Sequence, residues 1–326
     1  MSTDSATPPA KRRREDDGDT STPIERSSDY WFDDGNVILQ VESTQFRLNK
    51  SMLARHSSVF TDLFTVPTPE DEPLVDGCPV VVLSGDTAND WRYLLSEIVP
   101  SRFRGTKRPT ISLFAALLRL SKKYDFSEFR KECLYQLKYE FPTSWAKHTS
   151  NEGWRYLYYG DKTCVEVINL AREIGLYSIL PSAFYHMTAL SPECKNLSLA
   201  DQLALAEGQI RILRLKGLTV TRWLFLSSDG DEPLLPCPEC STCQECTSAL
   251  HRAAYHESCV SSTENDSGDR EDVFIDWKTE WEDGLCSECV DVAQASFDEG
   301  RVECWNKLPL MFGLPDWEEL KKMDFE

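Results

Sequence analysis

Apolar positions in the first part of the chain follow two periods. VILQVES (37 to 43) is a short apolar run bounded by polar residues and predicts a strand, with a second around Gln45 to Leu48. VVVL (80 to 83) is a compact β-branched strand that reads as buried. Asn49 stands where a cap would open a helix running through Phe64, and Pro67, Pro69 and Pro73 mark the loop after it. Thr87, with Asp90 three residues on, opens a helix whose Trp91, Leu94, Leu95 and Ile98 share one face. Ile111 to Tyr124 is helical and apolar over more than one face, which makes it central. Asp125 is read as the cap of the next helix, with Phe126, Phe129, Cys133 and Leu137 as its stripe. Strands precede helices without βαβ alternation, so residues 29–141 read as an α+β unit.

Beyond that unit the pattern is helical. Val167, Leu170, Ala171 and Ile174 form one stripe, and Gly175 sits where a C-terminal cap belongs. Pro181 precedes a short helix through Met187. Ser198 and Asp201 open another helix that carries Leu203, Ala206, Ile210 and Leu213 on one face. Near the end, Cys286 and Cys289 open a helix to about Leu308, and Ala293, Phe297, Cys304 and Leu308 share a face of it. Cys304 is therefore expected in a core. The aromatic run Trp154 to Tyr159 also reads as core, and His186 has no neighbour at metal-ligand spacing and reads as structural.

Composition changes the picture at two places. With 41% hydrophobic and 11% aromatic residues the chain can build a core, which excludes wholesale disorder. No apolar run approaches the ~20 residues of a membrane helix, and no secretion signal is visible. The net charge of −19 is unevenly spread: residues 229–326 hold 25 acids and 7 bases, and the rest holds 29 and 28. The same third holds eight of the twelve cysteines, so a boundary is expected near Ser228. Residues 142–228 then form a helical extension. Such acidity argues against direct nucleic-acid binding. Residues 1–28 read as a disordered tail, and its tract Lys11, Arg12, Arg13 and Arg14 reads as a nuclear import signal. The expected location is intracellular, in the nucleus or in nucleus and cytoplasm.

The cysteines carry the candidate chemistry. Cys78, Cys133, Cys164 and Cys194 fall in or beside apolar elements and read as small buried hydrophobes. Cys237, Cys240, Cys243 and Cys246 are each separated by two residues, and Cys259, Cys286 and Cys289 follow. C-x-x-C turns suit a tetrahedral zinc site, and a reducing compartment disfavours disulfides, the rival account. Cys286 and Cys289 are the firmer pair; the other two ligands come from the first four. His256 and Cys259 could add to them. A metal there would stand in for a hydrophobic core that this acidic segment is not expected to build alone.

Phe46-Arg47-Leu48-Asn49-Lys50-Ser51-Met52-Leu53, then Ser57, Phe60 and Phe64, resemble the BTB/POZ pattern, with Asn49 where many members have His. The resemblance implies a small sheet with helices, and Phe46, Leu53, Phe60 and Phe64 in the core. It also implies binding to other proteins, self-association into a homodimer, and a frequent role as adaptor for a cullin-RING ubiquitin ligase. REIGLYSILPSAFY and the segment from Trp305 through Trp317 are similar to the expanded BTB family of mushroom-forming fungi. In that family a C-x5-C element precedes L-C-x-x-C, which implies Cys240, Cys246, Cys286 and Cys289 as zinc ligands.

These readings combine into a BTB/POZ domain, an all-helical extension and a small zinc-stapled helical C-terminal domain. The expected function is non-enzymatic protein binding, as a cullin-RING substrate adaptor. The alternative is a nuclear transcriptional regulator or corepressor-recruiting factor. No catalytic residue is assigned, because no phosphate-cradling loop, H-E-x-x-H or G-x-S-x-G occurs.

Overall fold

A computed structural model describes residues 23–67, 74–99, 108–151, 153–160, 162–188, 194–224, 233–260 (258–260 as backbone only) and 273–325. The basic tract at Lys11 to Arg14 and the side chain of Cys259 lie outside the described residues.

Strands β1 (Glu25–Trp31), β2 (Val37–Val41), β3 (Thr44–Leu48), β4 (Leu74–Val75) and β5 (Cys78–Val82) form one sheet in the order β1-β3-β2-β5-β4. The hairpin β2–β3 is antiparallel, with Leu39 opposite Phe46. Helices α1 (Lys50–His56) and α2 (Ser58–Thr65) carry the chain across to β5, which pairs with β2 in parallel. That crossover is an element the simple strands-then-helices order did not foresee. Strand β1 begins at Glu25, inside the segment expected to be tail. Its ERSSDYW sequence has little apolar content, and pairing with β3 supplies what the side chains do not.

Other local expectations are corrected by geometry. One helix from Asn49 to Phe64 becomes two because Ser57 is extended (φ −137°) and caps α2, accepting from the Phe60 N–H at 3.1 Å. The Ser57 hydroxyl also donates to the Tyr124 carbonyl, which ties the break to the next layer. Asn49 precedes α1 but gives it no side-chain cap; its amide instead donates to Asp34 at 3.3 Å. Asp125 ends helix α4 (Ile111–Tyr124) in the left-handed conformation (φ 52°), and Phe126, without a side-chain bond, precedes α5 (Ser127–Glu140). Phe46, Leu53 and Phe60 are fully buried, but Phe64 is half-buried under the Lys50 ammonium. Val80 and Val81 are half-buried and Val82 is exposed, because two-residue β4 barely covers that side of the sheet.

Thr87 does cap α3 (Ala88–Ile98), accepting from Asp90 N–H at 3.1 Å. Phe60, Trp91, Tyr124 and Phe126 then interlock, with Phe60 and Tyr124 stacked at 5.1 Å. The Asp86 carboxylate accepts from Trp91 Nε1 at 2.9 Å and from the Tyr124 hydroxyl at 2.6 Å. Burial, then this carboxylate, pushes the Tyr124 phenol well above its ordinary range.

The following helices are α6 (Trp145–Thr149), α7 (Thr163–Ile174), α8 (Leu180–Thr188) and α9 (Leu199–Leu218). Gly175 ends α7 with φ 76°, and Ser198 caps α9 through Asp201 N–H at 3.1 Å. The Glu140 carboxylate at the end of α5 is buried and accepts from the backbone N–H groups of Arg155, Tyr156 and Leu157, fastening the loop before α7. Trp154 stacks on Tyr159 at 4.2 Å, and His186 lies against Trp154 at 5.2 Å. Contrary to expectation, only Leu157 of this run is core: Trp154, Tyr156 and Tyr159 are half-buried and Tyr158 is exposed, because the run is a loop along the core's edge.

In the last third come α10 (Cys243–Val260), α11 (Ser287–Met311) and α12 (Trp317–Met323). This segment does not build a core alone but contributes its aromatics to a shared one. Trp305 stacks on His148 at 4.5 Å and on Trp317 at 5.6 Å, with Phe274 at 5.3 Å. One continuous apolar cluster runs from Val37 to Trp317, so α11 shares its core with the preceding helices. The acids lie outward and the aromatics inward, a division an average over the segment hides.

Helices α9 and α11 approach closely at two glycines. A Cβ on Gly300 would stand 2.5 Å from the Thr219 carbonyl oxygen, and one on Gly208 2.3 Å from the Phe312 ring. Gly217 has open space around it. Gly300→Ala should therefore lower stability by about 1–3 kcal/mol, while Gly217→Ala should be neutral or gain a few tenths. Urea unfolding of the full chain followed by Trp fluorescence separates the two; equal midpoints would contradict the close approach.

Candidate metal centre

Two helix starts converge at one end of α11. Cys286 precedes its first turn and Cys289 lies buried within it. Cys246 is buried in the first turn of α10, and Cys240 stands in the turn before it, where its N–H donates to the Cys237 carbonyl at 3.0 Å. The Sγ atoms of Cys240, Cys246, Cys286 and Cys289 all lie within 4.8 Å of one another, with Cys286 to Cys240 at 3.7 Å. A tetrahedral ion with metal–sulfur bonds of about 2.3 Å needs sulfurs about 3.8 Å apart. The donor set fits a thiophilic metal ion.

The surroundings favour thiolates. Backbone N–H of Cys286 donates to Cys246 Sγ at 3.2 Å, and the Thr242 hydroxyl lies 3.4 Å from the same sulfur. Burial pushes the Cys246 thiol up, but Thr242, the Cys286 N–H and the neighbouring thiols outweigh it and bring it down to about 7. Cys240 and Cys289 are pushed up, chiefly by burial among other thiols. A bound dication removes that conflict, because four protons leave and the ion sits among the charges. The positive ends of two helix dipoles face the same point.

The remaining cysteines divide clearly. Cys237 is buried with its Sγ 3.6 Å from Cys289 Sγ, yet it stands outside the mutual cluster of four. Cys243 is exposed, its Sγ 3.6 Å from the Cys240 carbonyl. His251 and His256 are exposed on α10 and are not in the cluster. Cys304 is fully buried under apolar neighbours, and burial pushes its thiol up to about 12. Cys78, Cys133 and Cys164 are buried as small hydrophobes, while Cys194 is half-buried. Thr242 is the site residue that spacing alone did not single out. Its signal is a hydroxyl four residues before a cysteine at a helix start.

Away from this centre, the sheet and helices α1 to α5 present the geometry expected of the motif at Phe46 to Phe64. Residues 31–140 match the BTB/POZ domain family. This part of the chain is a BTB/POZ domain. Such domains are typically protein-interaction modules, and they mediate protein–protein contacts and dimerisation. No curated protein matches the chain. Among the described residues no helix is long and apolar enough to cross a membrane. The BTB/POZ domain and the thiol cluster lie at opposite ends of the chain, joined through the shared core.

Cobalt(II) titration of the metal-free chain should give one ion per chain with a tetrahedral tetrathiolate spectrum. Cys246→Ser should abolish that spectrum, Cys243→Ser should leave it, and Thr242→Val should weaken affinity by about tenfold. Because α11 is anchored by Trp305 and its stack, metal removal should not unfold the whole last third. Hydrogen exchange after chelation should rise in residues 233–257 and 279–289 and stay low in residues 297–320.

Proposed function

We propose that the chain is a non-enzymatic adaptor that links a client protein to a cullin-RING ligase scaffold. The BTB/POZ domain at residues 31–140 carries this reading. A groove of about 390 Å³ supports it, lying where α3 and α4 meet α7. Tyr93, Ile111 and Ser112 line it together with Glu166 and Glu173. Arg119 spans its wall, paired with Asp90 at 2.8 Å and with Glu173 at 3.3 Å, so the charged lining is held in place before any partner arrives. A half-buried tyrosine beside fixed charges is the composition of a binding hot spot.

The ion at the four thiols is, in this reading, zinc in a structural role. Four thiolates in tetrahedral spacing suit it, and a closed set of protein ligands holds no position for substrate. Zinc fixes the start of α10 against α11, and the face so formed is where a client would be held.

Affinity purification of the full chain from its native cell, with quantitative mass spectrometry, tests the adaptor role. A cullin should be enriched, and Tyr93→Ala should reduce it by about tenfold or more. Absence of a cullin from the wild-type sample defeats the adaptor reading, and enrichment of chromatin corepressors instead would replace it with a transcriptional one.

A further inference from the structure

Helix α9 carries two apolar stripes, and the core takes only one. Asp201, Leu205, Gly208, Ile212 and Leu215 are buried, and the helix packs on α8 and α11. The stripe that spacing alone marks most strongly points the other way. Leu199, Leu203, Ala206, Ile210, Leu213 and Gly217 alternate at intervals of four and three, the seam of a coiled coil. All six are exposed, Leu199 at 81%, Leu203 at 59%, Ile210 at 64% and Leu213 at 47%. Scattered exposed leucines are ordinary, but a seam of about 27 Å on one face is not.

We propose that this seam pairs with the same seam of a second copy of the chain, the two α9 helices running antiparallel about a two-fold axis. The charges select the occupant. Of the exposed ones, Glu207 lies in the first half of α9 and Arg211 and Arg214 lie in the second, while Asp201 and Lys216 are turned inward to Arg172 and Glu257. A partner must match the apolar seam, be acidic where α9 is basic and basic where α9 is acidic. The same helix reversed meets all three conditions, whereas a parallel copy would set Arg214 beside Arg214.

One register satisfies the rim. Glu207 and Arg214 both flank the seam on one side, seven residues apart. Setting Ile210 against Leu213 of the other copy brings Glu207 against Arg214 twice, once at each end of the two-fold pair. Ala206 then meets Gly217, two small residues that let the helix axes come close. Glu207 already bridges Arg211 on its own helix, so the rim is ordered before pairing. Helix dipoles oppose one another in this arrangement, which adds to the preference.

Sedimentation equilibrium of the full, metal-loaded chain over the micromolar range tests the pairing. The wild type should self-associate, and Ile210→Asp should weaken that step by about tenfold or more, because a carboxylate enters an apolar seam. Glu207→Arg and Arg214→Glu should each weaken it, and the double variant should regain it. Circular dichroism and metal content should be unchanged throughout, since every altered residue is exposed. If Ile210→Asp sediments like the wild type, or the wild type shows no association that the seam controls, the pairing is wrong. A drop in melting temperature without a change in mass would mean that the chain covers its own seam, and would also overturn it. Failure of the double variant to recover would overturn the antiparallel register.

Discussion

The second half of the structure depends on how closely α11 can approach the end of α9. At Gly300 the obstacle is the Thr219 backbone carbonyl, which has no rotamer to yield, so only hydrogen fits there. The same crossing is relieved at Gly208, where the Phe312 ring fills the space a side chain would take. With the helices this close, Phe297, Cys304 and Leu308 reach the core and Trp305 enters its stack with His148 and Trp317. The direction of α11 is thereby set, and with it the position of Cys286 and Cys289 at its start.

The thiol cluster is accordingly a staple at one end of an anchored helix. Apolar burial holds α11 along most of its length, and an ion held by the four thiols would act on the shorter elements that meet its first turn. This division of labour fits the chemistry of the segment. Its acids stay hydrated, its tryptophans remove apolar surface from water, and the four thiols gather at the end that neither of the two covers. The BTB/POZ domain has its own aromatic core around Phe60 and Trp91, and the helices that follow join it to α11.

Much of this was legible in the sequence, and the exceptions share a cause. Helix starts marked by a hydroxyl and an acid three residues on, at Thr87 and Ser198, form as read because the interaction is local. The BTB/POZ pattern is equally plain in its spacing, although Phe60 packs on Trp91, Tyr124 and Phe126 far along the chain. Strand β1 was missed because its stability comes from pairing with β3, which leaves no trace in ERSSDYW. On α9 spacing favours the stripe of Leu203, Ala206, Ile210 and Leu213, and the structure buries the other one, because the close approach is made by a glycine opposite Phe312, more than a hundred residues later. At the metal centre the four sulfurs could be nominated from spacing and resemblance. Thr242 has a weaker signal, a hydroxyl four residues before Cys246 at a helix start, which becomes meaningful only once the sulfur is placed 3.4 Å away.

The last residues of the chain return to the BTB/POZ domain. Asp324 accepts from Ser178 N–H at 2.9 Å, from the Ser178 hydroxyl at 2.7 Å and from Lys138 Nζ at 3.0 Å. Arg130 lies 4.6 Å over the Phe325 ring. During synthesis, α5 therefore emerges long before the segment that covers it. The 186 positions between Lys138 and Asp324 correspond to roughly ten to forty seconds of translation. The α5 groups that wait for this segment include Arg130 and Lys138, whose charges water solvates well until Asp324 and Phe325 arrive.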